Sequence, residues 1–553
     1  MARCTLACQP RIGTTPHLAN PLSSTGGGGA QVHPAFSQLH YIPYLKHMVA
    51  ADPSLFSSNK SSLLTSAKQV VPALLATEGP QHLDSTPWVL GDEGEGGSAR
   101  GPPQRDKTKS KFQLGASLQE QDQLQVLAML ENNSDRFAFP MEDLEPFTGE
   151  PLQIHLNSDK PIFRPPHKLG QVEWDFISAQ CKKLEALGMI QRSTQSLYAS
   201  ATVVVRKKDS EGNYTDFRQC GDYRPLNLKT NLDRYPLPGI EDIFNQMGGA
   251  TVFNKLDLRS GYHQMPLREE DRCKTAFWGA NRVLWEWLVV PFGLKNAPPY
   301  FQRRMDEVLR DLPFCRCYID DIVVWSRSLA EHMEHLEVVF QRLREAGLKV
   351  HPGKCVFGAS SIDFLGHRIL ANSMEPQQDK LAAVRDLPSP TDLSSLRAAL
   401  GLFSYYRKFV LHFSSIAFPL NALLKKDRPW EWGAVQQTAF VELKEQLCSA
   451  AVLHLPDAYR PFILTTDWSQ RGMGAILSQL DLEGVEHPVS YASRSCNAAE
   501  QNYSSFDGEC LAVVWATSHF RPYLFGNSFT LVTDHEPLKW LMTTHKLTGK
   551  LAR

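Results

Sequence analysis

Adjacent carboxylates are the first chemistry the sequence offers. In the stretch CYIDDIVVW, residues 317–325, Asp320 and Asp321 stand side by side between two runs of strand-forming residues. A two-residue hairpin turn favours Asn-Gly or Asp-Gly, where a positive φ is cheap, so Asp-Asp is a poor choice on folding grounds. A solvated turn is the plain alternative. A hard divalent cation gives the pairing a purpose, because it neutralises clustered carboxylates and binds substrate phosphates in the same step. Mg²⁺ keeps several waters and takes only one or two protein carboxylates, so a further acid is expected on another strand. Asp257, at the end of the apolar run in FNKLDLRSGYHQMPL, meets that need, although alone it would read as a helix N-cap. On adjacent strands Asp257 and Asp320 could hold two ions about 4 Å apart, which suits activation of a hydroxyl and stabilisation of a leaving group.

A second set of acids follows. Asp467 ends the strand-like FILTTD, Glu509 lies on the next helical stretch, and Asp534 ends FTLVTD. Each alone reads as a cap or surface acid. Together, two strand ends and one helix can bring three acids to one sheet edge, as two-metal phosphodiester hydrolysis requires.

The elements that must position these residues are legible in outline. Ser117 and Glu120 form a capping-box pattern ahead of Leu124, Leu127 and Leu130, which predicts a helix and the start of ordered structure. A second helix is expected over residues 169–187, with Leu169, Val172, Phe176, Leu184 and Leu187 on one face and Gly188 as its stop. Residues 201–205 are β-branched and run into Arg206, Lys207 and Lys208, with Arg218 across the polar loop SEGNYTD on a hairpin. Further strands are expected near 253–258, 283–290 and 315–325, and helices near 300–311 and 329–346. From Asp379 to Leu455 the pattern is helical, broken at Pro388-Ser-Pro390 and Pro429-Trp-Glu-Trp432. After Pro456 come three strands, a helix over about 506–521, a strand, and a helix start at PLKWL.

Composition bounds the rest. At 553 residues the chain needs three to four domains. No run of 18 apolar residues appears, so no helical membrane span is expected. A net charge of −1 carries no global nucleic-acid signature, and any basic surface must be local. The eleven cysteines show no zinc spacing and are read as reduced thiols of an intracellular protein, cytoplasmic or nuclear. No targeting segment is evident at the start. Residues 1–115, with a glycine run at Gly26 to Gly29 and GDEGEGGSARGPPQRDKTKSK from Gly91, are read as low-complexity and disordered.

The motifs LDLRSGYHQ, VPFGLKNAP followed by FQ, YIDDIVVWS, HPGKCVFG and DFLGH occur in this order. Together they resemble the reverse transcriptase of gypsy-type LTR retrotransposons. The resemblance covers residues 116–553, with LRAALGLFSYYRKFV and PWEWGAVQQTAF similar to the family's connection region. It implies a multidomain α+β chain with fingers, palm and thumb. Residues 116–185 would be a helical lead-in, 186–370 fingers and palm, 371–455 thumb and connection, and 456–553 an RNase H-like domain.

The same resemblance implies roles. Asp257, Asp320 and Asp321 match the palm carboxylates, the first two as principal Mg²⁺ or Mn²⁺ ligands and Asp321 as a supporting ligand or an electrostatic partner. Lys207 and Arg218 match residues that contact an incoming dNTP, a task suited to paired cations. Lys354 resembles a triphosphate-side lysine. Tyr262 matches the steric gate that excludes a 2′-hydroxyl, Phe292 and Gly293 the loop on the nascent base pair and template, and Phe364, Leu365 and Gly366 the primer grip. TTDWSQRGMGAILSQ, HPVSYASR, GECLAVVWATSHFRPYLFG and LVTDHEPLKWL resemble a retroviral-type RNase H, which makes Asp467, Glu509 and Asp534 its ligands for two further ions. Implied partners are dNTPs, a primed RNA or DNA template and an RNA–DNA hybrid, with no membrane; the sequence does not speak to oligomeric state.

Three departures bear on activity. The chain lacks the family's later Asp or His ligand and its last strand and helix, Trp468 stands where a small residue is usual, and KTAFWGANRVLWEW lacks the usual turn glycine. No D-[ST]-G protease motif, CCHC knuckle or integrase-like zinc pattern is present. The alternative is a non-catalytic remnant that at most binds nucleic acid; intact Asp257, Lys207, Arg218, Tyr262, Asp320 and Asp321 weigh against it.

Overall fold

The computed structural model describes residues 2–6, 112–208, 214–426, 428–535 and 538. They fall into two compact units. One holds the described residues up to Ala383 from Phe112, the other those from Val384 onward together with Ala2–Leu6. Most of the segment read as low-complexity lies outside the described residues, but its two ends do not follow that reading. Ala2–Leu6 is a strand, and Gln113–Leu114 pairs in parallel with Val356–Phe357. Average composition hid both, because a short stretch needs only an open strand edge to pair with.

In the first unit, α1 (Glu120–Asn132) buries Val126, Leu127, Met129 and Leu130. Its N-cap is Gln119 without a side-chain bond, so the expected Ser117–Glu120 box does not form, and Leu124 faces solvent. Helix α2 (Gln171–Ala186) stops at Gly188, which takes φ +65°. Met189 N–H bonds Leu184 O and Gly188 N–H bonds Glu185 O, the bond pair of a Schellman stop. The buried stripe is Ile177, Cys181 and Leu184, whereas Val172 is exposed. Strands β1 (Thr202–Lys208) and β2 (Tyr214–Gly221) form the expected hairpin, with Val205 opposite Arg218.

The central sheet places β3 (Val252–Asp257) between β5 (Asp321–Ser326) and β6 (Val356–Ala359), with β4 (Cys315–Tyr318) outside β5. Period-2 alternation sends Lys255 and Asp257 to one face and Asn254 and Leu256 to the other. Helix α3 (Ala297–Val308) packs near β4, and α4 (Leu329–Glu345) near β5. Under α4 lies a buried polar chain whose direction follows from chemistry. Asn254 Oδ1 accepts Gly358 N–H, which fixes the amide, so His332 Nε2 must donate to that oxygen. His332 Nδ1 then accepts from Ser326 Oγ, and Ser326 accepts from His335 Nδ1. Burial holds the His332 imidazole down to about 3, so it stays neutral. Beyond β6, strands β7 (Ser361–Phe364), β8 (His367–Leu370) and β9 (Ser373–Pro376) form a meander.

In the second unit, α5 (Leu393–Tyr405) is capped reciprocally by Asp392 and Ser395, and α6 (Ala434–Cys448) follows the Trp430–Trp432 break. Next come β10 (Phe462–Trp468), β11 (Gly472–Leu480), β12 (Glu486–Ser495), α7 (Ser505–His519) and β13 (Phe529–Thr533). The sheet order is Ala2–Leu6, β13, β10, β11, β12, with β10 and β13 parallel. Phe462, Leu464, Leu477, Leu531, Ala516 and Phe520 form its core. The helix expected at PLKWL lies outside the described residues, apart from Leu538.

Candidate active sites

Asp321 lies directly opposite Asp257 across the β3–β5 ladder and opposite Tyr318 across the β4–β5 hairpin. The hairpin loop is therefore Ile319–Asp320, and the acid pair straddles the loop and the first strand residue. The residue in the left-handed region is Ile319, at φ +54°. A β-branched side chain there is strained by about 1–3 kcal/mol and persists only where its surroundings hold it. Gln302 of α3 does the holding. Fully buried, it accepts Ile319 N–H at 2.8 Å and donates to Cys317 O at 2.9 Å and to Asp306 Oδ1 at 2.9 Å. The sequence reading quoted this glutamine in its motif without a role. A glutamine beside Phe301 on the apolar side of a helix was the available signal.

The carboxylates are not left facing one another alone. Lys354 Nζ is 3.5 Å from Asp257 Oδ2, and Lys255 Nζ is 3.3 Å from Asp321 Oδ1. Burial pushes the Asp257 carboxyl up to about 6, with Lys354 pulling down and Asp321 pushing up. Gly261 packs beside Asp320, since a Cβ there would come within 3.1 Å of Asp320 Oδ1 and 3.0 Å of Phe301. The next residue, Tyr262, is buried with its ring edge-on to Phe301 at 5.3 Å and Phe292 at 5.5 Å. Burial first, then the neighbouring Asp320, pushes its hydroxyl well above the usual tyrosine range. Its Oη has no hydrogen-bond partner among the described residues.

Gly293 takes φ +96°, and its carbonyl accepts from Asn227 Nδ2 at 2.8 Å, which fixes the loop carrying Phe292. Lys207 and Arg218 lie on paired strands of the β1–β2 hairpin, but their side chains are outside the described residues. The β7–β8 turn is Leu365–Gly366, with φ +47° and +75°. Phe364 precedes this turn as the last residue of β7. Its side chain is fully buried 6.3 Å from Phe244, so it anchors the hairpin and only Leu365 and Gly366 form the tip. Sequence spacing could not separate tip from anchor. The glycine-poor turn after Trp278 is made by Asn281 and Arg282, both at positive φ.

In the second unit Asp467 lies on β10 and Asp534 follows β13, each two residues beyond the paired Thr465 and Val532. Glu509 projects from α7, is buried, and accepts Trp468 N–H at 3.3 Å. Burial, then Asp534 and Asp467, raise its carboxyl to about 7, and Oε2 is buried without a partner. Trp468 is accommodated by Gly508, because a Cβ there would collide with the indole at 2.2 Å. A cavity of about 230 Å³ opens over Asp467 and Asp534, walled by Leu411 and His412. His412, at φ +54°, lies 3.0 Å from where a Cβ on Gly474 would stand, and no motif pointed to it.

Both sites fit divalent metal. Two lysines stand where cations belong in one, and an orphaned carboxylate oxygen awaits a partner in the other. Among the described residues no three ligating side chains converge on a single point, so an ion would complete its shell with phosphate and water.

Comparison with known proteins agrees with this geometry. Residues 205–369 match the family model described as reverse transcriptase (RNA-dependent DNA polymerase), and 457–553 match that of the RNase H-like domain found in reverse transcriptase. The Pol polyprotein of transposon 297 from Drosophila melanogaster is 38% identical over 403 residues, 72% of this chain and 37% of that protein. That of transposon gypsy, from the same organism, is 38% identical over 396 residues, 68% of this chain and 38% of its own length. The chain thus spans under two fifths of these relatives. The foamy viral protease-reverse transcriptase in complex with double-stranded DNA shares the fold at TM-score 0.70 and 20% identity, over 80% of this chain and 76% of that one. The chain belongs with the Pol polyproteins of gypsy-type LTR transposons, carrying their reverse transcriptase domain followed by their RNase H-like domain.

Proposed function

We propose that this chain is an RNA-directed DNA polymerase that extends a primer 3′-hydroxyl with dNTPs, with a linked nuclease acting on the RNA of an RNA–DNA hybrid. The observation that carries this reading is Asp257 opposite Asp321, with Asp320 on a turn clamped by Gln302. Asp257 and Asp320 would hold two Mg²⁺ or Mn²⁺ ions, which when bound supply Lewis acidity at the attacking hydroxyl and the leaving pyrophosphate. The protein's own part is placement. The strained turn presents Asp320 without freedom to relax, Gly261 leaves room for Asp320 beside Phe301, and the ring of Tyr262 would lie under the sugar and exclude a 2′-hydroxyl.

Lys207, Arg218 and Lys354 would bind the triphosphate, Phe292 and Gly293 pack on the base pair, and Leu365 and Gly366 approach the primer. Asp467, Glu509 and Asp534 would hold the ions of the nuclease. The foamy viral relatives are solved in complex with double-stranded DNA and with RNA/DNA hybrid, which supports such partners here. The described cysteines are all free thiols, and no helix among the described residues is long and apolar enough to cross a membrane. Both features suit an intracellular setting, in a cytoplasmic particle or the nucleus.

The test is dNTP incorporation by the full chain on a primed RNA template with Mg²⁺ or Mn²⁺, beside Asp320→Asn. Incorporation lost in the variant supports the polymerase; none from folded wild-type protein supports a remnant that only binds nucleic acid.

A further inference from the structure

Lys255 has no place in the chemistry set out above, yet it sits in the middle of it. It lies on β3, the central strand, two residues before Asp257 and on the same face. Val323 of β5 is its cross-strand neighbour on one side and Val356 of β6 on the other. Register places these two valines on either side of Lys255, and its ammonium lies 3.3 Å from Asp321 with both side chains about one-fifth exposed. A lysine so placed depends on a carboxylate, because an unpaired cation in the middle of a sheet loses solvation without return.

Lys354 differs. It comes from a short turn, Pro352–Lys354, its side chain is 57% exposed, and its contact with Asp257 is longer. It can leave Asp257 for a substrate phosphate when an ion arrives. Lys255 has no such exit.

We infer that Lys255 is a positioning residue that retains Asp321 as its own counter-ion when metal is bound, so that the ions are divided between Asp257 and Asp320. This rests on the polymerase reading of the palm. It resolves the role of the second aspartate of the pair, which offsets the charge of Lys255 and does not ligate. The absence of any three converging ligands among the described residues accords with it.

The measurement is Mn²⁺ binding to the full chain by electron paramagnetic resonance, in the presence of primer–template and a non-hydrolysable dNTP. The Asp467→Asn change is carried throughout so that the palm is read alone. Lys255→Met frees Asp321 and tightens binding about tenfold, and Asp321→Asn leaves an extra cation and weakens it about tenfold. The double variant Lys255→Met/Asp321→Asn loses neither ligand nor net charge and returns to within about threefold of wild type. Lys255→Arg keeps wild-type affinity, which separates the charge from packing of the stem. A double variant as weak as Asp257→Asn would overturn the inference, since Asp321 would then be a ligand. Failure of wild type to bind any Mn²⁺ would overturn the polymerase reading itself, a different outcome from the first.

Discussion

In the palm, Asp257 and Asp321 each face a lysine ammonium within 3.5 Å, whereas among the described residues Asp467, Glu509 and Asp534 take part in no ion pair. The palm carries its own counter-charges on the same sheet. The nuclease-like sheet manages its charge through Glu509, whose carboxyl is raised to about 7 and so holds a proton for part of the time near neutrality. Backbone strain is divided just as unevenly. The palm stores it at Ile319 beside the paired carboxylates, and the other unit carries the αL residue His412 on the wall of its cavity. Two sites suited to the same metals therefore rest in different states before any metal arrives.

The comparison can be broken most directly by separating the activities. Asp257→Asn should lower dNTP incorporation about a thousandfold and leave hybrid cleavage within about twofold, and Asp467→Asn should do the reverse. If either change removed both activities, the sites would not be independent. A smaller effect is expected from Gln302→Leu, which leaves Ile319 N–H and Cys317 O buried without partners at a cost of about 1–3 kcal/mol. Urea unfolding should show that loss in the palm, with incorporation lowered about tenfold and cleavage unchanged; wild-type incorporation would mean the turn holds itself.

Gly508→Ala sharpens the other side of the comparison. Its methyl group meets the Trp468 indole, costing about 1–3 kcal/mol in the nuclease-like unit alone, and in a Trp468→Ala background the same change should add no further cost. The effect that is smallest near neutral pH is pH-dependent. His332 titrates near 3 when folded and near its ordinary value of about 6.5 when unfolded. The unfolded chain therefore binds the extra proton, and the palm unit loses up to about 1.4 kcal/mol per pH unit as pH falls from about 6.5 towards 3. His332→Gln should flatten that dependence, measured by urea midpoint against pH, and leave the nuclease-like unit's profile unaltered.

Much of this was legible in residue order. The strand-ending positions of Asp257, Asp467 and Asp534, the β1–β2 hairpin and the stop at Gly188 follow from periodicity and turn chemistry, which are local. What escaped the sequence is long-range. That Ile319 rather than an aspartate carries the positive φ depends on Gln302 from another helix. The partners of Asp257 and Asp321 come from side chains two and 97 residues away from Asp257, and no spacing rule links them. Phe364 reads only as part of a motif, and its packing near Phe244 depends on a residue 120 positions away. Ser117 fits a capping pattern, but the helix begins two residues later because Gln119 supplies the non-helical backbone. Ala2–Leu6 could be recognised only once β13 offered an edge.

Strand β3 also sets a parity rule for change. Lys255 and Asp257 point to the face that carries the paired carboxylates, while Asn254 and Leu256 point toward α4, where Asn254 meets His332. A substitution at one of these positions disturbs only the contacts of that side chain. A single inserted or deleted residue would exchange the two faces along the strand, sending two charges beneath α4 and an amide and a leucine among the carboxylates. Strand β3 can therefore vary in letter but hardly in length, and a gap there would disrupt both faces at once.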